Sequence, residues 1–461
     1  MQFTSADLAA YARTVADSEL PPPVREQAGR LCWDSLGCCL GARDAAPVAA
    51  LRACYENHGS ADEATILGTD TRVSVEYAAL INGAMVRYLD YNDCYISGSS
   101  VCHPSDHIPG LLAVAEAEGR SGAALVRAIV IAYEIQAAGI DTGAIWDRGF
   151  DYVTWGSYSA AAAVGTLMGL SEQELVNAIG IAGTANNGLL ISRLGAVSQW
   201  KGVAMPYAIH GAIQACQMAR GGLTGPSAVI EGEAGFEATV AGQELSVEEW
   251  GGQDGAPYRI MRTNFKPYAC GYFMQAPIAA VLELIDRHDI EPARIEAIEI
   301  EEFEQAVQVL ASPEKFDTDL NRETADHSIP YSVAVGVLDG TVTPRQYAPD
   351  RLADPAVHAL METVSVAEAP DITARRAANP GLIPARATVS TAAGRFSTTI
   401  DYPTGHWQSP MSEAALTEKV TELVGDALGA DSLAELEAWC GAAADQPHVD
   451  GLISTLAGGG A

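Results

Sequence analysis

The sequence predicts a mainly α protein with an α+β module in its second half. Three observations carry that reading. Apolar residues recur at helical spacing through the first 265 residues. From about residue 267 the period shortens to that of strands, first in "RIEAIEIEEF" and then in "ARATVSTAAGRFSTTIDYP", which reads as a hairpin. The last stretch, from "PMSEAALTEKV", returns to helix and is expected to dock on the first part.

In chain order, Ser5 is placed to cap "ADLAAYARTVADS". Pro22 and Pro23 open the next helix, along which Val24, Ala28, Leu31, Cys32, Leu36 and Cys39 follow the helical period. Ser105 is placed to cap "DHIPGLLAVAEAE", which Gly119 stops, and Ser121 opens "GAALVRAIVIAYEIQAA". Ser171 with Glu174 makes a capping box. A helix over residues 199–220 ends at Gly221–Gly222. "APIAAVLELIDRH" and "PYSVAVGVLDG" are the helices of the α+β part, and the final "LAGGGA" is expected to fray.

The 461 residues, 48 % of them hydrophobic and 19 % charged, suffice for two or three domains with a large core. No run of eighteen or more uncharged apolar residues suits a membrane helix, and "MQFTSADLAAYA" lacks the marks of a signal peptide, so a cytoplasmic protein is expected. Nine cysteines without regular spacing read as reduced thiols, and no Cys/His cluster has zinc spacing. A net charge of −32 repels nucleic acid and anionic lipid, so neither is an expected partner. Only four of the 27 basic residues are lysine: Lys201, Lys266, Lys315 and Lys419. A lysine kept in an apolar, glycine-rich segment is therefore of interest.

The densest polar stretch is "YLDYNDCYISGSSVCHPSDH", residues 88–107. Proline after His103 forces extended backbone there, just before a helix N-terminus that favours anions. Asp93 and His103 form either an acid/base pair or a structural hydrogen bond. For Asp106 and His107, on the first turn of that helix, a structural role is favoured. Arg193 and Lys201 are two cations in an apolar, glycine-containing region; they suit an anionic substrate or an exposed helix start. Lys266 sits where the composition changes and either reaches an interdomain cleft or lies on the surface. In "TADHSIPYSVAVGVLDG", Asp326 or Ser328 is a plausible N-cap, and Tyr331 is a proton donor or a core hydroxyl. No Walker A loop, GxGxxG, GxSxG or HExxH is present.

As an ordered set, "DSLGCCLGA", "NGAMVRYLDYNDCY", "HPSDH", "LVRAIVIAYEIQ", "WKGVAMPYAIHGA", "GGLTGP", "EGEAGF", "ADHSIPYSVAVGVLDG" and "YPTGHWQSPMSEAALTEK" resemble the MmgE/PrpD family over almost the whole chain. That family includes 2-methylcitrate dehydratase, cis-aconitate decarboxylase and iminodisuccinate epimerase. The resemblance implies an all-helical domain from residues 1–265 together with 405–461, and an α+β lid domain at 266–404. It also implies a homodimer, an active site between the domains, a small carboxylate substrate, and chemistry without metal or organic cofactor. Motif by motif it points to Asp93, His103, Lys201, Lys266 and Tyr331 as catalytic, with Ser97 where decarboxylases carry a loop threonine. Two positions depart. Where relatives carry a histidine in a "GWDH"-like segment, this chain reads "GFDYVTW", with Tyr152, a further candidate proton donor. Where relatives carry one past the lid lysine, "KPYACGYFMQ" offers Gly271 and Tyr272. Arg193, His107, Ser97, Gly271 and Tyr272 are the expected substrate contacts. The expected reaction is dehydration of a di- or tricarboxylate, with decarboxylation, epimerisation or a non-catalytic carboxylate-binding role as alternatives.

Overall fold

The computed structural model describes residues 3–56, 61–98, 100–142, 145–425 and 427–457. It is mainly helical, with one four-stranded sheet and two short antiparallel ribbons. Helix Gly122–Thr142 lies against helix Val153–Leu167. The latter packs on Ala204–Arg220, which also meets Val75–Tyr88 and Glu172–Ala185. Small residues set these distances: a Cβ on Gly139 would lie 2.6 Å from the Trp155 ring, and one on Gly156 would lie 2.2 Å from the Met205 methyl. Gly122–Thr142 is long and apolar enough to cross a bilayer, yet most of it is buried against protein. Its buried Glu134 accepts from the backbone N–H groups of Gly251 and Arg259 and pairs with the Arg259 guanidinium.

The sheet runs Val364–Glu368, Ile295–Glu302, Ala385–Thr391, Gly394–Ile400 in spatial order, the first pair parallel and the others antiparallel. Strand alternation is visible in the register, where buried Ile298 and Ile300 face Val389 and Ala387. Helix Gln275–His288 covers strands Ala385–Thr391 and Gly394–Ile400 and supports helix Ile329–Asp339. The C-terminal helices Glu413–Val424 and Ala430–Gly441 pack on Pro22–Gly41, where Lys419 Nζ meets buried Asp34 at 2.6 Å. All nine cysteines are unpaired thiols, eight of them buried.

Local readings are refined in four places. Thr4, not Ser5, caps the first helix, in a capping box with Asp7, while Ser5 is buried inside it. Ser105 does not cap, because its hydroxyl goes to Asp93. The helix read over 199–220 is a short 3-10 turn, Gln199–Gly202, followed by Ala204–Arg220. At the C-terminus, Leu456 is buried in helix Asp450–Ala457, and residues 458–461 lie outside the described residues. The capping box at Ser171 and Glu174 is present.

Candidate active site

A cavity of about 780 Å³, mouth included, opens between the helical and α+β parts. Its polar floor is built around Asp90. Helix Val75–Tyr88 ends at Leu89, and Asp90 then takes a left-handed φ of 51°. Aspartate tolerates that region better than most residues, and the strain persists only because contacts hold it. Its Oδ1 receives Arg87 Nη1 and Lys266 Nζ, each at 2.7 Å, and Lys266 Nζ also donates to the Asp90 carbonyl at 2.9 Å. Its Oδ2 lies 3.5 Å from Lys201 Nζ and 3.3 Å from His327 Nδ1. Burial alone raises a carboxylate pKa; here Arg87, Lys266 and Lys201 outweigh it and hold Asp90 well below its usual range.

Lys201 Nζ also lies 2.6 Å from Asp326 Oδ1 and 3.3 Å from His327 Nδ1. Asp90, Asp326 and His327 present ligand atoms within 4.8 Å of one another, a set that can hold a cation. The Lys201 ammonium stands among those atoms and supplies the charge itself. Burial lowers the Lys201 pKa against the pull of Asp326 and Asp90. All four lysines of the chain are buried.

His103 lines the cavity, and its backbone, at φ −122° and ψ 83°, is non-helical but short of the extended conformation expected before proline. The expected pair with the Asp93 carboxylate is not formed. Nδ1 donates instead to the Asp93 carbonyl at 2.6 Å, while the carboxylate accepts from the Ser105 hydroxyl and N–H and from the Tyr133 hydroxyl. The contact fixes the tautomer, and Nε2 is left without a partner among the described residues. Burial, then Arg87 and Lys266, push the imidazole pKa well below its ordinary value, so it is neutral near pH 7. His327 is the second cavity histidine. Its Nδ1 donates to Asp326 Oδ1 at 2.6 Å, and burial with Lys201 lowers its pKa to about 4.

The Tyr152 hydroxyl donates to Asp106 Oδ2 at 2.9 Å and lies 3.4 Å from Arg87 Nε. Burial raises Asp106 to about 6 despite Arg87. The Arg193 guanidinium stacks 5.2 Å over the Tyr152 ring. Its Nε bonds Asp151 at 2.7 Å and its Nη1 bonds the Lys201 carbonyl at 2.7 Å, but its buried Nη2 has no partner among the described residues.

The structure thus brings His103, Tyr152, Arg193, Gly271 and Tyr272 to the cavity, with Lys201 and Lys266 behind Asp90 and His327. Four expected residues are elsewhere. The Asp93 side chain turns toward Ser105 and Tyr133. His107 bonds the Pro104 carbonyl and the Ser159 hydroxyl. The Tyr331 hydroxyl donates to the Gln346 carbonyl at 2.5 Å. Ser97 pairs with Ser100 in a ribbon, and it is Ser100 that lines the cavity. Arg87, Asp90 and His327 are cavity residues that the sequence reading did not select. The signal for the first two was their spacing of three residues at a helix end.

Fold and site define a two-part, mainly helical protein with a cation-rich polar cleft between its parts. The chain belongs to the MmgE/PrpD family: residues 6–248 match the MmgE/PrpD N-terminal domain and residues 268–439 the C-terminal domain. It is 27 % identical over 382 residues to 2-methylcitrate dehydratase of Cupriavidus necator, covering 74 % of this chain and 73 % of that protein. It is 26 % identical over 388 residues to the Escherichia coli K12 enzyme of the same name, covering 78 % and 77 %. A cis-aconitate decarboxylase-like protein of Aspergillus oryzae is 26 % identical over 286 residues, covering 58 % of each chain.

Proposed function

We propose that this protein is a lyase of the 2-methylcitrate dehydratase type that removes water from a hydroxylated di- or tricarboxylate. The observation that carries the reading is the placement of His103, whose Nε2 has no partner among the described residues, in a cleft also lined by Arg87 and Arg193; burial and the nearby cations favour its neutral form. Loss of water from a β-hydroxy acid begins with removal of a proton beside a carboxylate. His103 Nε2 takes that proton. Arg193 and Arg87, backed by Lys201 and Lys266, bind carboxylates and stabilise the charge that builds on the one next to the reacting carbon. The C–O bond then breaks as the double bond forms, and the leaving hydroxyl takes a proton from Tyr152, whose hydroxyl Asp106 and Arg87 hold in place. The buried ion network keeps these groups in position before substrate arrives. The names of the Cupriavidus and Escherichia relatives support dehydration.

Decarboxylation is the second reading, favoured by Tyr152 in place of a family histidine and by the Aspergillus relative. A cytoplasmic homodimer that uses no cofactor completes the proposal. The test is NMR in D₂O of the purified protein with 2-methylcitrate, its longer-chain analogue 2-butylcitrate, citrate, cis-aconitate and an amino-dicarboxylate. Formation of an alkene from a hydroxy acid supports the dehydratase. Loss of CO₂ supports the second reading, and deuterium entering an α-carbon without net loss points to an epimerase and overturns both.

A further inference from the structure

The cations occupy only part of the cavity. Another part of its wall is apolar and comes from different elements. Ile140, Ile145, Trp146 and Phe150 come from the end of helix Gly122–Thr142 and the turn after it, while Phe273 and Leu310 come from the α+β part. Carboxylates laid against such a wall would lose hydration without gaining partners.

Gly271 makes the room. Its backbone, at φ −50° and ψ 141°, is open to any residue. A Cβ there would meet Leu310 Cδ2 at 3.5 Å, Met274 Sδ at 3.5 Å and His327 Cδ2 at 3.7 Å, all ordinary contacts. Neither strain nor crowding demands a glycine. Its missing side chain leaves space between the polar floor, at His327, and the apolar wall, at Leu310.

We infer that the substrate joins its carboxylates to an apolar chain or ring larger than methyl, which lies between Gly271 and the wall around Ile140, Ile145, Trp146 and Leu310. This rests on the reading of the site as a hydroxycarboxylate lyase and narrows its substrate class.

Binding of compounds without a hydroxyl, which cannot lose water, tests the inference apart from catalysis. Tricarballylate (propane-1,2,3-tricarboxylate) and its methyl, butyl and hexyl derivatives are titrated into the intact protein by calorimetry. A buried methylene tightens Kd by roughly fourfold. Butyl is therefore expected to bind at least about tenfold more tightly than methyl. In Gly271→Leu the dependence on chain length is expected to flatten, and in Trp146→Ser, at a half-buried position, to weaken. Melting curves establish that each variant folds. Tricarballylate binding with a Kd that stays level or rises with chain length would overturn the apolar subsite and leave the lyase reading standing. No binding of tricarballylate itself would overturn both.

Discussion

Lys266 Nζ and Asp90 Oδ1 are 2.7 Å apart with both side chains fully buried, so a cation from the start of the α+β part closes on a carboxylate from the helical part. Arg87, Lys201 and His327 meet the same carboxylate. A buried pair adds little net stability against an apolar replacement, but removal of one partner strands the other charges.

Asp90→Asn is expected to cost about 3–5 kcal/mol for that reason. Asparagine also tolerates positive φ, so the loss reports charge and not backbone strain. Urea denaturation measures it; a midpoint equal to wild type would show that the network is solvated or already neutral.

Asp93 predicts a pH dependence of stability. Burial raises its folded pKa from 3.8 to about 7. A raised folded pKa means stability fully present below pH 3.8 and lost as pH rises through about 7. Asp93→Asn keeps an acceptor for Ser105, and the Tyr133 hydroxyl can turn to accept from the new amide. The variant is expected to flatten the fall in melting temperature between pH 5 and 8. An unchanged slope would assign the fall to other groups, Asp106 first among them.

How much of this was legible in the sequence differs from residue to residue. The hairpin at Ala385–Ile400 and the Ser171 capping box depend on neighbours in sequence and were read directly. Ser105 looked like a cap because it precedes an apolar run, but a buried carboxylate twelve residues earlier needed its hydroxyl more. Arg87 reads as an ordinary last-turn cation, and only the approach of Lys266, 179 positions later by number, makes it part of a buried centre. Tyr331 follows the "DHS" motif as expected, yet the side chain that faces the cavity there is His327, one turn earlier.

Tyr152→Phe removes the hydroxyl held by Asp106 and Arg87. A fall in kcat of about 10²–10⁴ is expected, with a smaller change in KM. Steady-state kinetics decide; an unchanged kcat would remove Tyr152 from proton transfer.

Burial holds His103 well below 6.5, so it is a free base at neutral pH and is protonated only in acid. The acid limb of kcat/KM that belongs to His103 is expected below pH 6.5. Asp106, at about 6, titrates nearby, and in Asp106→Asn the His103 limb is expected to remain. A limb that disappears with Asp106 would assign the titration to that carboxylate.

The most direct measurement is the single-turnover rate of His103→Gln against wild type on the substrate that the NMR panel identifies, with binding of that substrate measured in parallel. A loss of about 10²–10⁴ in the chemical step with binding retained is the predicted result. A variant that keeps most of the wild-type rate would contradict the assignment of His103 Nε2 as the base.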